Sequence, residues 1–195
     1  MEDYKKLWSA VGSAGAVDPA DAGKVVMSGS IVQLGPGGPG GIGGAAETAR
    51  ARAARLPTHE IKAVIRYSIV PVEGILYGPP PEPEYPLFIR LRLRPGEGRV
   101  IALLKVVDIL TGTETVGTSW DSKVLEDTPP PDVWLVTKSG DEVPMSGPVD
   151  FVNKAYYVEL TLSAQVTNVA EPLRFPPAVS VIELFNTTAK DAYNL

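Results

Sequence analysis

The sequence has no cysteine and a single histidine, His59. The absence of thiols excludes disulfides, a thiolate nucleophile and zinc held by cysteine. One imidazole leaves at most one candidate base for a Ser-His-Asp system, and no Gly-x-Ser-x-Gly motif supplies a nucleophile. His59 lies at the start of a predicted strand, where a surface histidine is the simpler interpretation. We therefore expect a protein that is not an enzyme.

Long apolar runs and a leader sequence are also lacking. No apolar run approaches the ~18 residues that a membrane-spanning helix needs. The first residues, Met-Glu-Asp-Tyr-Lys-Lys, contain no basic region followed by an apolar stretch, so we expect no signal peptide in this sequence. The sequence does not identify the cellular compartment. An extracellular or virion-surface location is compatible with the sequence if the protein is processed or assembles. The net charge of −5 argues against a nucleic-acid partner.

Side-chain amides are scarce, whereas prolines are abundant. The sequence has four asparagines and two glutamines beside 19 prolines. Few thermolabile residues combined with rigid loops is a pattern typical of thermophilic proteins. We hypothesise a thermostable protein, and a melting temperature in the ordinary mesophilic range would argue against it.

The most informative segment runs from residue 87 to 94 and reads Leu-Phe-Ile-Arg-Leu-Arg-Leu-Arg. Side chains of a β-strand alternate between the two faces of a sheet. One face would then carry four aliphatic residues, and the other would carry Phe88 with three arginines. This pattern predicts an antiparallel strand with one buried face and one solvated face.

Further apolar runs follow residue 60 and are separated by glycine and proline. We predict strands at 60–70, 87–94, 99–110, 113–120, 133–138, 151–166 and 178–185. The turn at 95–98 predicts a hairpin between the second and third of these. No helices alternate with the strands, which indicates an all-β fold. The prediction is an antiparallel two-sheet sandwich, jelly-roll or immunoglobulin-like, over residues 57–195.

Residues 1–56 are predicted to form an N-terminal arm. Its first element is a short amphipathic helix at 3–11, in which four apolar residues recur at helical spacing: Tyr4, Leu7, Trp8 and Val11. A strand at 24–34 and a Gly/Pro-rich tract at 35–44 follow. The Ala/Arg-rich segment at 45–56 suits a helix by propensity, and an extended basic linker is the alternative. Because so short a helix is marginal alone, we expect it to dock on its own sheet or on a neighbouring subunit.

Two groups of arginines stand out on this acidic protein. One lies on the strand at 87–94 and the other in the Ala/Arg-rich segment: Arg90, Arg92, Arg94, Arg50, Arg52 and Arg55. Arg99 and Lys105 would extend the first row across the predicted hairpin. A solvated face that prevents edge pairing is the simpler interpretation. The functional alternative is a charged interface that meets an anionic sugar, a phosphate or an acidic neighbouring subunit.

Aromatic and acidic residues of the predicted loops indicate two further kinds of site. Trp120, Trp134 and Tyr85 are candidates for a sugar-stacking surface, although such rings more often fill cores or interfaces. Scattered loop carboxylates are solvated in the simpler interpretation, and they leave calcium binding or a carboxylate-based hydrolase open. The string Gly-x-Gly-x-x-Gly at 35–40 contains two prolines, which offer no N–H to a phosphate, so we expect no nucleotide cofactor.

These observations favour a non-enzymatic structural protein. It would self-associate into a homo-oligomer, or a filament-like or capsid-like assembly, through its N-terminal arm and sandwich surface. The alternative is a β-sandwich module that binds carbohydrate, an anionic polymer or another surface ligand. In that alternative, a bound calcium ion is an optional aid to ligand binding.

Overall fold

Strands dominate the structure, a computed structural model that describes residues 5–35, 59–70, 87–125, 129–137, 142–143, 150–166 and 173–186. Twelve strands lie within these ranges: β1 Lys5–Val11, β2 Ala16–Val17, β3 Val25–Ser28, β4 Ile31–Leu34, β5 His59–Ser68, β6 Leu87–Arg94, β7 Gly98–Asp108, β8 Glu114–Asp121, β9 Leu135–Val136, β10 Glu142–Val143, β11 Lys154–Val166 and β12 Ala178–Asn186. Short 3-10 helices occur at Gly12–Ala14, Pro19–Lys24 and Ser122–Val124. None of the helices in these ranges has the length and apolar character that a bilayer crossing requires.

The strands form two antiparallel sheets of six strands each. Sheet A has the order β3-β4-β12-β6-β9, and β1 pairs with β12 on the same side as β4. Sheet B has the order β10-β8-β7-β11-β5-β2. The predicted all-β fold, an antiparallel two-sheet sandwich, is confirmed.

The core lies between the sheets and follows the alternation of the sequence. On β6, Ile89, Leu91 and Leu93 are completely buried, whereas the arginines of the same strand lie on its other face. On β11, five residues predicted to face inward are buried: Tyr156, Val158, Leu160, Leu162 and Ala164. Thr161 and Ser163, predicted to face water, are each only 8% exposed, because β11 is a central strand paired with β5 and β7.

β6 and β7 follow each other in sequence but lie in different sheets, so the predicted hairpin is wrong. The chain crosses between the sheets at 95–97, where Gly96 has a φ of 61° and the Glu97 N–H donates to the Phe175 carbonyl at 2.8 Å. Each strand has an apolar face, and placing them in opposite layers lets those faces cover each other. As a result, Arg99 and Lys105 lie on sheet B and do not extend the arginine row of β6.

The N-terminal segment is a strand, so the predicted helix at 3–11 is wrong. β1 pairs antiparallel with β12, which offers a continuous row of backbone donors and acceptors. A helix of this length leaves most of its terminal N–H and C=O groups without partners. Trp8 packs against the core and Val11 is 43% exposed. Tyr4 and the side chain of Leu7 lie outside the described part of the chain.

The described residues of the predicted arm contribute to both sheets. β1, β3 and β4 belong to sheet A, and β2 belongs to sheet B. The strand predicted at 24–34 is a pair of strands, β3 and β4, joined through Gly29 at a φ of 56°. The boundary at residue 56, most of the Gly/Pro-rich tract and the segment 45–56 lie outside the described residues, so the division into arm and sandwich stays a prediction.

Candidate binding surface

The outer face of sheet A brings two arginines and a tryptophan together. Arg92 and Arg94 share the outward face of β6, and β9 lies alongside with Val136 opposite Arg92. Trp134 directly precedes β9 and therefore falls beside the same arginines. Their guanidinium carbons lie 5.8 Å (Arg92) and 5.6 Å (Arg94) from the centre of the Trp134 ring, within the range of cation–π contacts. We call these three residues the Arg–Trp surface.

A buried threonine holds this part of the chain in place. Thr137 is 4% exposed, and its N–H donates to the Leu91 carbonyl at 3.0 Å. In return, the Leu91 N–H donates to the Thr137 hydroxyl oxygen, also at 3.0 Å. Because Leu91 is fixed in the core, these two bonds fix β9 against β6 and keep Trp134 beside the arginines.

The neighbouring Arg90 differs from Arg92 and Arg94 because it has a carboxylate partner. Its Nη2 lies 2.7 Å from the carboxylate of Glu183, the residue opposite on β12. Three cations of sheet B are paired in the same way: Arg66 with Glu159, Arg99 with Asp121 and Lys105 with Glu114. Within the described ranges, Arg92 and Arg94 have no carboxylate at ion-pair distance. On this acidic chain, the Arg–Trp surface therefore carries two positive charges that no described carboxylate neutralises.

Three ion pairs on the outer face of sheet B, by comparison, neutralise their own charges. Hydrogen bonding from Arg99 lowers the pKa of the Asp121 carboxyl. Lys105 and Tyr157 donate to Glu114 and lower the pKa of its carboxyl. Burial, together with the Glu114 carboxylate, raises the pKa of the Tyr157 phenol to about 12. At neutral pH these acids are ionised and the phenol is protonated, so each group already has its partner.

A cavity lies beside Arg94. It has a volume of about 300 Å³ and is lined by Gln33, Leu34, Gly35, Arg94, Leu173, Arg174 and Pro176. Nη2 of Arg94 donates to the Pro176 carbonyl at 3.2 Å, while its Nε is buried without a partner. The exposed Arg174 lies over the Phe175 ring at 5.2 Å, and no described carboxylate pairs with it. The cavity wall thus contains two cations that no described acid neutralises.

The structure separates two of the three predicted stacking residues, Trp120 and Trp134. Trp134 is only partly buried and belongs to the Arg–Trp surface. Trp120 is 1% exposed and lies in the core, so its prediction as part of a stacking surface is wrong. The reason is the alternation along β8, which turns Trp120 and Thr118 inward. The remaining predicted residues of the stacking surface and of the second arginine group lie outside the described ranges: Tyr85, Arg50, Arg52 and Arg55.

Three described carboxylates of the acidic loops, Asp18, Asp21 and Asp150, accept hydrogen bonds from backbone N–H groups. Asp18 and Asp150 accept N–H groups from residues two or three positions further along the chain. Asp21 accepts the N–H of Val64 at 3.0 Å and thereby caps the edge of β5. In the part of the chain that the structure describes, no three acidic or histidine side chains are grouped as metal ligands. Calcium binding stays a prediction without a described site.

The cavity beside Arg94 was not predicted from the sequence. Its polar lining comes from three distant parts of the chain, with Gln33 on β4, Arg94 on β6 and Arg174 before β12. The Leu34 N–H donates to the Pro177 carbonyl at 3.0 Å and docks the 173–177 segment on β4. The sequence contained one signal of this site, the run Arg-Phe-Pro-Pro at 174–177. This run places a cation in a conformationally restricted segment directly before a predicted strand.

Comparison with known proteins does not assign the chain to a family. No family model matches the sequence, and neither does any curated protein or solved structure. The inference of function therefore depends on the geometry and charges of the Arg–Trp surface and the cavity.

Proposed function

We propose that this protein is a non-enzymatic β-sandwich module that binds an acidic polysaccharide across the Arg–Trp surface. The main support is the placement of Arg92 and Arg94 over one indole ring with no described carboxylate beside them. Two like charges held this close repel each other, and an anionic partner removes that repulsion. The other described strand arginines, Arg66, Arg90 and Arg99, have acidic partners within the chain.

A tryptophan between two cations matches the chemistry of an acidic sugar chain. The apolar face of a pyranose packs against an aromatic ring, and Trp134 presents part of its ring to solvent. Carboxylate or sulfate groups of the sugar accept N–H bonds from guanidinium groups, whose planar geometry suits paired oxygens. Val136, which is 56% exposed, extends the apolar contact beside Arg92. A neutral glycan would use the ring but gain nothing from the arginines.

This proposal takes precedence over self-association because of what the structure shows at the N-terminus. The expectation of an arm docked on a neighbouring copy depended in part on a predicted helix that needed a partner, beside the Gly/Pro-rich tract and the arginine rows. β1 instead pairs with β12 of the same chain. Ligand binding at the Arg–Trp surface therefore has the stronger support.

Polygalacturonate is expected to bind the full chain, and neutral pullulan is not. Arg92→Gln should weaken polygalacturonate binding by about tenfold, because a charge-assisted hydrogen bond contributes ~1.5 kcal/mol. Trp134→Ala should weaken it to a similar extent, because it removes the ring against which the sugar packs. The affinity should also fall as salt is added, since the contact is electrostatic. Isothermal titration calorimetry measures each of these effects.

Lys62→Gln is the matched control for Arg92→Gln. It removes one positive charge from an exposed position on β5, in the opposite sheet, and should leave the affinity unchanged. Equal binding of pullulan and polygalacturonate would contradict the proposal. So would an unaltered affinity in both Trp134→Ala and Arg92→Gln.

A second function, self-association, is favoured by one edge of sheet A. Within the described ranges β1 pairs only with β12 and β3 only with β4, so each leaves one backbone edge unpaired. Three exposed apolar residues lie on these strands: Val11 (43% exposed), Val26 (38%) and Met27 (40%). An unpaired apolar edge is a template for another strand, and two copies joined there would continue the sheet into a homo-oligomer or filament.

Light scattering after size exclusion tests this second function. The full chain should elute as an oligomer, and Val26→Lys should shift it to a monomer, because a lysine on an edge strand opposes pairing. Leu110→Lys is the matched control, since Leu110 is 88% exposed in the turn between β7 and β8 and should not alter the mass. A wild-type chain that remains monomeric across the concentration range would rule out this function.

A further inference from the structure

The cavity beside Arg94 has the size and lining of a site for one acidic sugar. We propose that it binds the terminal uronic acid of the polysaccharide, so that the protein recognises the end of a chain whose neighbouring residues lie on the Arg–Trp surface. The inference takes the class of its ligand from the proposed function. It goes further by assigning a second binding site and a preference for chain ends.

The volume of the cavity selects a small ligand. A volume of about 300 Å³ lies at the lower end of the range for small-molecule pockets. A single sugar ring suits a space of that size, whereas a longer chain has to continue outside it. Because the cavity opens to solvent, the rest of the chain can leave it.

The lining favours an acid over a neutral sugar. Arg94 and Arg174 both contribute to the wall, and neither has a carboxylate partner among the residues that the structure describes. Two guanidinium groups around one carboxylate give short, charge-assisted bonds. The Gln33 side chain offers an amide for a sugar hydroxyl, and Leu173 and Pro176 supply apolar contact.

Arg94 is held in a fixed position before any ligand arrives. Nη2 donates to the Pro176 carbonyl, and the guanidinium lies against the Trp134 ring. Its Nε is buried without an acceptor, so the remaining Nη hydrogens are the donors left for a ligand. A donor that is already ordered loses little conformational entropy on binding.

Arg94 also connects the two sites. Arg94 lines the cavity, and its guanidinium carbon lies 5.6 Å from the centre of the Trp134 ring. A sugar residue inside the cavity would therefore place the next residue beside the Arg–Trp surface. This continuity is the reason that the end of a chain, rather than its interior, fits the arrangement.

Titration with galacturonate, trigalacturonate and polygalacturonate tests the inference, with glucose as the neutral probe. Galacturonate should bind and glucose should not. One protein should bind per polygalacturonate chain, whatever the chain length. Arg174→Gln and Gln33→Leu should each weaken galacturonate binding by about tenfold, the loss expected for one polar contact. Lys62→Gln, in the opposite sheet, should bind galacturonate like the wild type.

Two results would overturn the inference. One is a number of bound proteins that rises in proportion to chain length; the other is an Arg174→Gln variant that binds galacturonate and trigalacturonate like the wild type. If Trp134→Ala weakens polymer binding while Arg174→Gln does not affect it, the end site is wrong and the proposed function stands. If the wild type binds none of the acidic probes, both the end site and the proposed function are wrong.

Discussion

Replacing Leu91 by alanine should lower the free energy of unfolding by about 2–5 kcal/mol. Leu91 is completely buried on β6, between β12 and β9, and its truncation removes apolar contacts and leaves a space in a close-packed core. The same residue exchanges two backbone bonds with Thr137, so movement of β6 would also loosen β9 and Trp134. Urea denaturation should show a lower midpoint with an unchanged slope.

Leu110→Ala is the matched control for Leu91→Ala. Leu110 is 88% exposed, so its truncation should change the free energy of unfolding by less than about 0.5 kcal/mol. Circular dichroism of both variants would show that the sheet content is retained. Similar unfolding midpoints for the two variants would mean that the aliphatic face of β6 is not in the core, and the assignment of the two sheets would be wrong.

Gly12→Ala is expected to destabilise the protein by about 3 kcal/mol, at the upper end of the range for overpacking. A Cβ at Gly12 would lie 2.1 Å from the Val179 carbonyl oxygen and 3.0 Å from the Val32 nitrogen. Both contacts are with backbone, which cannot move aside as a flexible side chain does. The Gly12 carbonyl also accepts the buried Tyr67 hydroxyl at 2.6 Å, so a shift here disturbs a bond to sheet B.

Hydrogen exchange would show where the damage from Gly12→Ala is located. The amides of β1 should lose protection first, because Gly12 directly follows the last residue of β1. Gly23→Ala is the control, since no atom lies within 4 Å of the Cβ position at Gly23 and the change should cost less than about 0.5 kcal/mol. Equal stability of the two variants would contradict the close approach of Gly12 to β12.

The fold class was predictable because it depends on a local property. Alternation of apolar and polar residues with a period of two is visible within a single strand, as on β6 and β11. Those two strands already indicated which side chains meet in the core. The same alternation did not predict the burial of Thr161, which lies on the outward face of β11. The exposure of such a residue depends on the neighbouring strands, and β11 has a neighbour on each side, β5 and β7.

The errors came from interactions between distant residues. The apolar spacing at 3–11 fits a helix, but in the strand Trp8 packs toward the core while Ser9 and Val11 are exposed, so the same residues also fit an alternating pattern. The choice between helix and strand is decided by the backbone edge of β12 with which β1 pairs, and β12 lies at the other end of the sequence. The predicted hairpin of β6 and β7 is wrong for a similar reason, since β6 pairs with β12 and β7 pairs with β11.

The sequence by itself determined which side chains of each strand point the same way, because the geometry of an extended backbone imposes that alternation. The tertiary structure alone decided which strands are neighbours, because long-range packing of the two sheets selects those partners. Only that choice places Trp134 beside Arg92 and Arg94, buries Trp120 and assembles Gln33, Arg94 and Arg174 around one cavity. The arginine row was therefore visible in the sequence, and the binding surface that includes it was not.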